Sequence, residues 1–260
     1  FNIVKNNINF NEISIYLNDN NLFSPELIVQ KKKNKFFIKG KAYSKKISLN
    51  EKQIKDYIYL DNSYLAIKNV DFKINNEFSF EINQKYKIRN FTNNFIIDLD
   101  NLIVNSQYDY TNFFPKSQKK IEFQKHKLFV SYKKDMLDIK GSGDVLFQEN
   151  NDKIKYSIKK TNKEIDFDIK LNILKNQLNL DLLNYKKEGD TNLEINLIGT
   201  KVFDGITVIE KALIKEKSNI FKIEKLIFNN DNKISKFNKL ELNYIDSESI
   251  ENQFSILKKK

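Results

Sequence analysis

Few residues of this chain are of the types that do chemistry. There is one histidine, His126, set between Lys125 and Lys127. There is no cysteine, which removes thiolate nucleophiles, thiolate metal sites and disulfides from consideration. Paired carboxylates occur at Asp98 and Asp100 and again at Asp166 and Asp168. Two-residue spacing puts each pair on one side of a strand, where two carboxyls could share acid–base work or hold a hard cation. Both pairs alternate with apolar residues, which is the pattern of a strand's solvated side, and that is the role expected of them. His126, flanked by ammonium groups, is likewise expected in solvent. Asp204-Gly205 has the composition of a hairpin turn. No glycine-rich phosphate loop is present, and a single histidine in so charged a setting leaves no plausible Ser/His/Asp set. The reading is of a protein that is not an enzyme, with no catalytic residue, no metal site and no cofactor.

Charge suggests a second kind of chemistry. The net charge is +11, which favours anionic partners. Lys31–Lys35 and Lys116–Lys120 lie next to Phe36, Phe37, Phe113 and Phe114, and bases can stack on aromatics set in a basic groove. Against this, Arg89 is the sole arginine, whereas phosphate recognition favours the planar guanidinium. The lysines are also spread along the sequence, and an AT-rich coding sequence favours Lys, Asn, Ile and Phe together. No nucleic-acid partner is expected.

The elements that would position any site are strands. Between Met136 and Gly199 apolar and polar residues alternate almost without error, the period of a strand with one dry and one wet face. Leu137, Ile139, Gly141, Gly143, Val145 and Phe147 share one face. Ile165, Phe167, Ile169, Leu171 and Ile173 share another, and Leu178, Leu180 and Leu182, then Leu193, Ile195 and Leu197, continue the series. Similar runs precede and follow this stretch. Asparagine pairs at 20–21, 75–76, 93–94, 150–151 and 229–230 stand between apolar runs and read as turns, because Asn tolerates the left-handed conformation. Ser48 with Glu51 three residues on is a capping-box pattern, and Ile54, Tyr57 and Ile58 follow at helical spacing. One short helix is expected over 49–60. Residues 108–120, with Pro115, read as a loop. Connections between strands are too short for crossovers, so neighbours should pair antiparallel. The chain begins at Phe1 and ends in three lysines, as a segment of something longer would. Residues 1–246 are read as a single elongated β-sheet segment and 247–260 as a frayed polar tail.

The dry face needs a partner. Leu137–Phe147 alone would span roughly 35 Å at about 3.3 Å per residue, and each buried Leu, Ile or Phe is worth about 1.5–3 kcal/mol. The sheet could pack on another sheet, curl into a trough around something greasy, close as a membrane barrel, or receive a protein. Scattered aromatics and uneven strands disfavour the barrel.

The runs Lys35–Lys46, Met136–Gln148 and Thr191–Gly205 share a cadence of strand, "I-x-G" ending and polar turn: Ile38-Lys39-Gly40, Ile139-Lys140-Gly141-Ser142-Gly143 and Leu197-Ile198-Gly199. In this the chain resembles the AsmA-like superfamily, in particular the YhdP- and TamB-type bridge proteins of the Gram-negative envelope. The likeness is one of texture over most of 35–244. It implies an all-β fold, an elongated, mainly antiparallel curled sheet with a taco-like groove. The implied function is a periplasmic segment of a bridge-like phospholipid-transport protein, linked to inner and outer membrane through parts outside this chain and anchored to the inner membrane by one of them. Phospholipid acyl chains would lie along Ile139, Val145, Phe147, Ile165, Phe167, Ile169, Leu171, Leu178, Leu180, Leu182, Leu193, Ile195 and Leu197. The alternative is a structural or adhesin-like β-sandwich protein of the envelope with no ligand.

Overall fold

A computed structural model describes residues 2–4, 6–17, 20–57, 65–187 and 189–257. Along the chain run β1 (Asn2–Val4), β2 (Asn7–Leu17), β3 (Asn20–Lys32), β4 (Lys35–Ser44), β5 (Ile47–Asn50), the helix α1 (Glu51–Tyr57), β6 (Leu65–Ile82), β7 (Ile88–Ser106), β8 (Lys120–Lys133), β9 (Met136–Leu146), β10 (Asn151–Lys160) and β11 (Glu164–Ile173). There follow β12 (Leu178–Leu180), a 3-10 turn (Asp181–Leu183), β13 (Tyr185–Lys187), β14 (Leu193–Val202), β15 (Thr207–Glu216), β16 (Asn219–Phe228), β17 (Ile234–Lys236), β18 (Lys239–Ile245) and β19 (Glu251–Leu257). Among the described residues seventeen strands make one elongated, antiparallel sheet, and β12 and β13 pair separately.

The sheet is a meander. β1 through β4 pair in sequence, β6 pairs with both β4 and β5, and β6 through β11 continue strand by strand. From β11 the order is β14, β15, β16, β18 and β19, with β17 also on β16. Tight turns explain the order. The β8–β9 hairpin turns on Lys134 and Asp135, both at positive φ (50° and 62°), the two-residue geometry whose twist matches that of the strands. Lys33 and Lys217 adopt positive φ at the β3–β4 and β15–β16 turns.

The asparagine pairs divide into two groups. Asn229 makes a true turn, its Oδ1 accepting from the backbone of Asp231 and Lys233 at 3.1 and 2.9 Å. Asn75-Asn76 and Asn93-Asn94 instead lie inside the unbroken strands β6 and β7. The Asn76 side chain is buried in the dry face, where its amide donates to Asn93 Oδ1 and to the Asn94 carbonyl. Ser24 and Pro25 lie inside β3 at a register shift between Phe23 and Glu26. Glu251–Leu257, whose polar character suggested fraying, pairs in register along β18 because Phe254 and Ile256 extend its apolar rows.

The helix is shorter than its expected span. β5 occupies residues up to Asn50, and the capping box is formed by Asn50 and Gln53 rather than Ser48 and Glu51. Gln53 N–H donates to Asn50 Oδ1 at 3.1 Å and Asn50 N–H to Gln53 Oε1 at 3.0 Å. Residues 58–60 of the expectation lie outside the described residues. Ile54 is buried, and Lys68 on β6 reaches Glu51 at 2.6 Å. With Lys55, it pushes the Glu51 carboxyl down to about 2.

Candidate functional site

In a sheet, residues directly opposite each other share a face. Followed across the ladder, the pairing gives one continuous line: Ile74, Ile97, Leu128, Gly141, Tyr156, Ile169, Leu197, Ala212, Ile223, Leu240 and Ile256. Two parallel lines flank it over part of the width. One runs Val130, Ile139, Ile158, Phe167, Gly199, Ile209, Leu226, and the other Ile154, Leu171, Ile195, Ile214, Phe221, Leu242, Phe254. Ile139, Phe167, Ile169, Leu171, Ile195 and Leu197 thus lie on one apolar face and are half-buried. Ile165 is on the same face at its margin, opposite Lys201.

The glycines of the "I-x-G" runs have a structural reason. Each lies under an aromatic ring from its neighbour: Gly40 under Phe78, Gly141 under Tyr156, Gly143 under His126 and Gly199 under Phe167. A side chain at any of these positions would collide with the ring that covers it.

One margin of the face is covered. The segment between β11 and β14 folds back as the β12–β13 hairpin, and Ile173, Leu178, Tyr185, Leu193, Phe221 and Tyr244 form a buried cluster beneath it. Leu178 and Leu193 are therefore closed core. Val145 and Phe147 are buried as well, and the Phe147 ring meets Phe114 of the 107–119 loop edge-on at 4.7 Å between centroids. Leu180 packs at the edge of this cluster. Leu182 does not join the face at all: the 3-10 turn breaks the alternation after Leu180 and leaves the Leu182 side chain fully in solvent. Between hairpin and sheet lies an almost wholly apolar cleft of about 360 Å³, bordered by Phe113, Leu180, Leu183, Ile214, Ile223 and Leu240.

Polar residues latch this hairpin. Asn176 donates through Nδ2 to Asp152 Oδ2 at 2.7 Å and to the Asn150 carbonyl at 2.6 Å, while Asn150 N–H donates back to Asn176 Oδ1 at 3.1 Å. Lys187 is fully buried and its Nζ donates to the carbonyls of Leu174 and Asn176 at 2.9 and 3.0 Å. Burial pushes the Asp152 carboxyl up, against the pull of Asn176 and Leu174. It pushes the Lys187 ammonium down, against Glu216, Asp152 and Asp190. Glu216 accepts from the hydroxyls of Tyr185 and Thr191. Burial, followed by Glu216, raises the Tyr185 hydroxyl. Sequence reasoning missed this network, since its members stand at polar positions of loops and strand ends and carry no periodic signal.

His126 is not in solvent. It is 2 % exposed and sits on the dry face. The cause is a bulge: the register shifts between Gln124 and Lys127, with Lys125 at φ 52°, which re-aims the next side chain. Its Nε2 meets the Asp144 carbonyl at 2.9 Å and its Nδ1 the Tyr156 hydroxyl at 3.2 Å. A carbonyl only accepts, so Nε2 carries the proton and Nδ1 accepts from tyrosine, the neutral form of the ring. Burial lowers its pKa, with the Asp144 carbonyl opposing.

The carboxylate pairs lie on the polar side. Asp98 and Asp100 are exposed, and Asp100 is 3.6 Å from Lys46. Asp166 accepts from Thr200 Oγ1 at 2.7 Å, whereas Asp168 Oδ1 is buried with no hydrogen-bond partner. The basic runs are partly neutralised, Lys35 by Glu81 at 3.0 Å and Lys116 by Glu149 at 2.7 Å. Spread in sequence, four other lysines nonetheless gather in space: Lys127, Lys140, Lys155 and Lys170 border one depression on the polar face. Among the described residues no group of three or more His, Asp or Glu could hold a metal ion, and no helix is long and apolar enough to cross a membrane. No family model, curated protein or solved structure matches this chain.

Proposed function

We propose that the chain is a lipid-carrying segment of a bridge-like phospholipid-transport protein, working in the periplasm between inner and outer membrane, with acyl chains lodged along the apolar face. The observation that carries this reading is the line from Ile74 to Ile256. It crosses eleven successive strands, which at ~4.8 Å per strand is about 48 Å. One leaflet of a bilayer core is roughly 15 Å deep, so the line accommodates several acyl chains end to end.

A sheet curled about this face would form a groove with its headgroups at the polar rim. Sliding transport needs no tight site, which agrees with a row made mostly of Ile and Leu side chains. The latched hairpin would then form one wall, with Phe113 and Leu180 facing the chains.

The test is native mass spectrometry with lipid extraction on the purified chain. Co-purifying phospholipid is expected, lost in folded Ile169→Asp and Ile195→Asp variants and retained in Lys215→Glu, whose side chain is exposed. A lipid-free, cooperatively folded protein would reject the lipid reading in favour of a structural β-protein of the envelope.

A further inference from the structure

On the polar face, the pairing sets Lys127, Ser142, Lys155 and Lys170 directly side by side on β8 to β11. The adjacent row is Phe129, Lys140, Ser157 and Asp168 on the same four strands. Together they border a depression of about 450 Å³, within the range of small-ligand sites, ~300–1,000 Å³.

Two features of this depression are costly in the empty protein. Lys155 and Lys170 are directly opposed across β10 and β11, and like charges so placed repel. Among the described residues the ion pairs of β9 to β11 are Lys140 with Asp138 and Lys153 with Asp144, and none engages Lys155 or Lys170. Lys127 lies 5.7 Å over the Phe129 ring, which leaves its charge in place. The second feature is Asp168 Oδ1, an acceptor shielded from solvent and without a donor. A group that answered both would bring an anion to the lysines and a hydroxyl proton to the carboxylate.

We infer that this depression binds a phosphate ester bearing a neighbouring hydroxyl, of the glycerol phosphate type. The phosphate would sit between Lys155 and Lys170, with Ser142 and Ser157 as further donors. Its hydroxyl would donate to Asp168, whose carboxylate borders the depression and would turn to bring Oδ1 out of its shielded position. Lys127, Lys155 and Lys170 against the one lining carboxylate, Asp168, leave the site cationic, Lys140 being paired with Asp138. The site is on the opposite face from the proposed acyl path and does not depend on it. A free glycerol phosphate and the headgroup of a phosphatidylglycerol membrane offer the same chemistry.

The test is isothermal titration of the whole chain with sn-glycerol 3-phosphate and, separately, inorganic phosphate. Saturable binding is expected for both, tighter for the ester, and weakening as salt rises. Lys155→Gln/Lys170→Gln should lose at least tenfold in affinity for both. Asp168→Asn, nearly the same shape, should lose the preference for the ester while binding inorganic phosphate as well or better. Lys215→Gln, elsewhere on the sheet, should change neither. No saturable binding of either probe would overturn the inference, as would equal losses in Lys215→Gln, which would mark non-specific attraction to a basic protein. Asp168→Asn binding with the ester preference intact would overturn the role of the carboxylate. Co-sedimentation with phosphatidylglycerol vesicles, lost in the double lysine variant, would support a headgroup as the source. Binding of the soluble ester alone would support a free metabolite.

Discussion

The ring of Tyr156 lies across Gly141, its directly opposed partner on β9, and from there its hydroxyl reaches His126 Nδ1 at 3.2 Å. A methyl group on Gly141 would stand 2.6 Å from the tyrosine ring. Gly141→Ala should therefore displace Tyr156, strip His126 of its donor, and cost about 1–3 kcal/mol, the usual price of overpacking. Urea unfolding followed by tyrosine fluorescence measures this. An unchanged midpoint would show that the ring has room to lift.

His126 should impose an acid limit on stability. Its pKa is lowered in the folded protein, and the unfolded ring titrates near 6.5. Below about 6.5 the unfolded chain binds the extra proton, so stability present above that pH is lost as pH falls toward the folded value. The groups facing the ring are the Tyr156 hydroxyl, the Asp144 carbonyl and the Phe123 ring; the carbonyl and the charge of Asp144 favour the cation, and burial outweighs both. The Asp144 carboxylate is engaged by Lys153 on the polar side. Denaturation midpoints from pH 7.5 to 5 should fall, and in His126→Gln this part of the slope should flatten.

Asn176 is the latch of the hairpin. Asn176→Ala removes the donor to Asp152 and the acceptor for Asn150, leaving buried polar groups unmatched at about 1–3 kcal/mol. Protease cleavage near 174–192 should accelerate while hydrogen exchange in β6 to β8 stays as before. Uniform acceleration along the sheet would mean that the hairpin is not a separate unit.

Asn76 and Asn93 form a polar pair within an apolar face. Asn76→Ala alone should destabilise by about 1–3 kcal/mol, because the half-buried Asn93 Oδ1 loses its donor. Asn76→Val/Asn93→Val removes both and should be close to neutral. A double-mutant cycle reads the coupling directly. Additive losses would show that the two amides act independently.

Alternation made most of the sheet legible. β8 through β11, β14 through β16 and β18 follow from period-two patterning and short connections, whereas β17 is too short to show a period. The failures share a cause. Asn76 and Asn93 look like turn residues in one dimension, and only a hydrogen bond across two strands makes them strand residues. Leu182 continues the alternation of Leu178 and Leu180, yet a 3-10 turn at Asp181–Leu183 spends that position on solvent. His126 follows a bulge residue, and a bulge inverts the face of the residue after it without altering the local composition. The lysine depression was illegible because Lys127, Lys140, Lys155 and Lys170 become neighbours only through register.

The meander has a consequence for how the chain gains and loses order. In the first half, β1 through β7, every ladder joins strands close in sequence, so loop-closure entropy is small and order can spread outward from any formed hairpin. The second half carries longer ties: Tyr185 to Phe221 and Tyr244, and Asn184 to Ser247 across 63 residues. A chain built this way behaves less like a single cooperative globule than like a one-dimensional array of coupled units, with opening that spreads readily through β1 to β7 and stalls where the β12–β13 hairpin binds distant strands together.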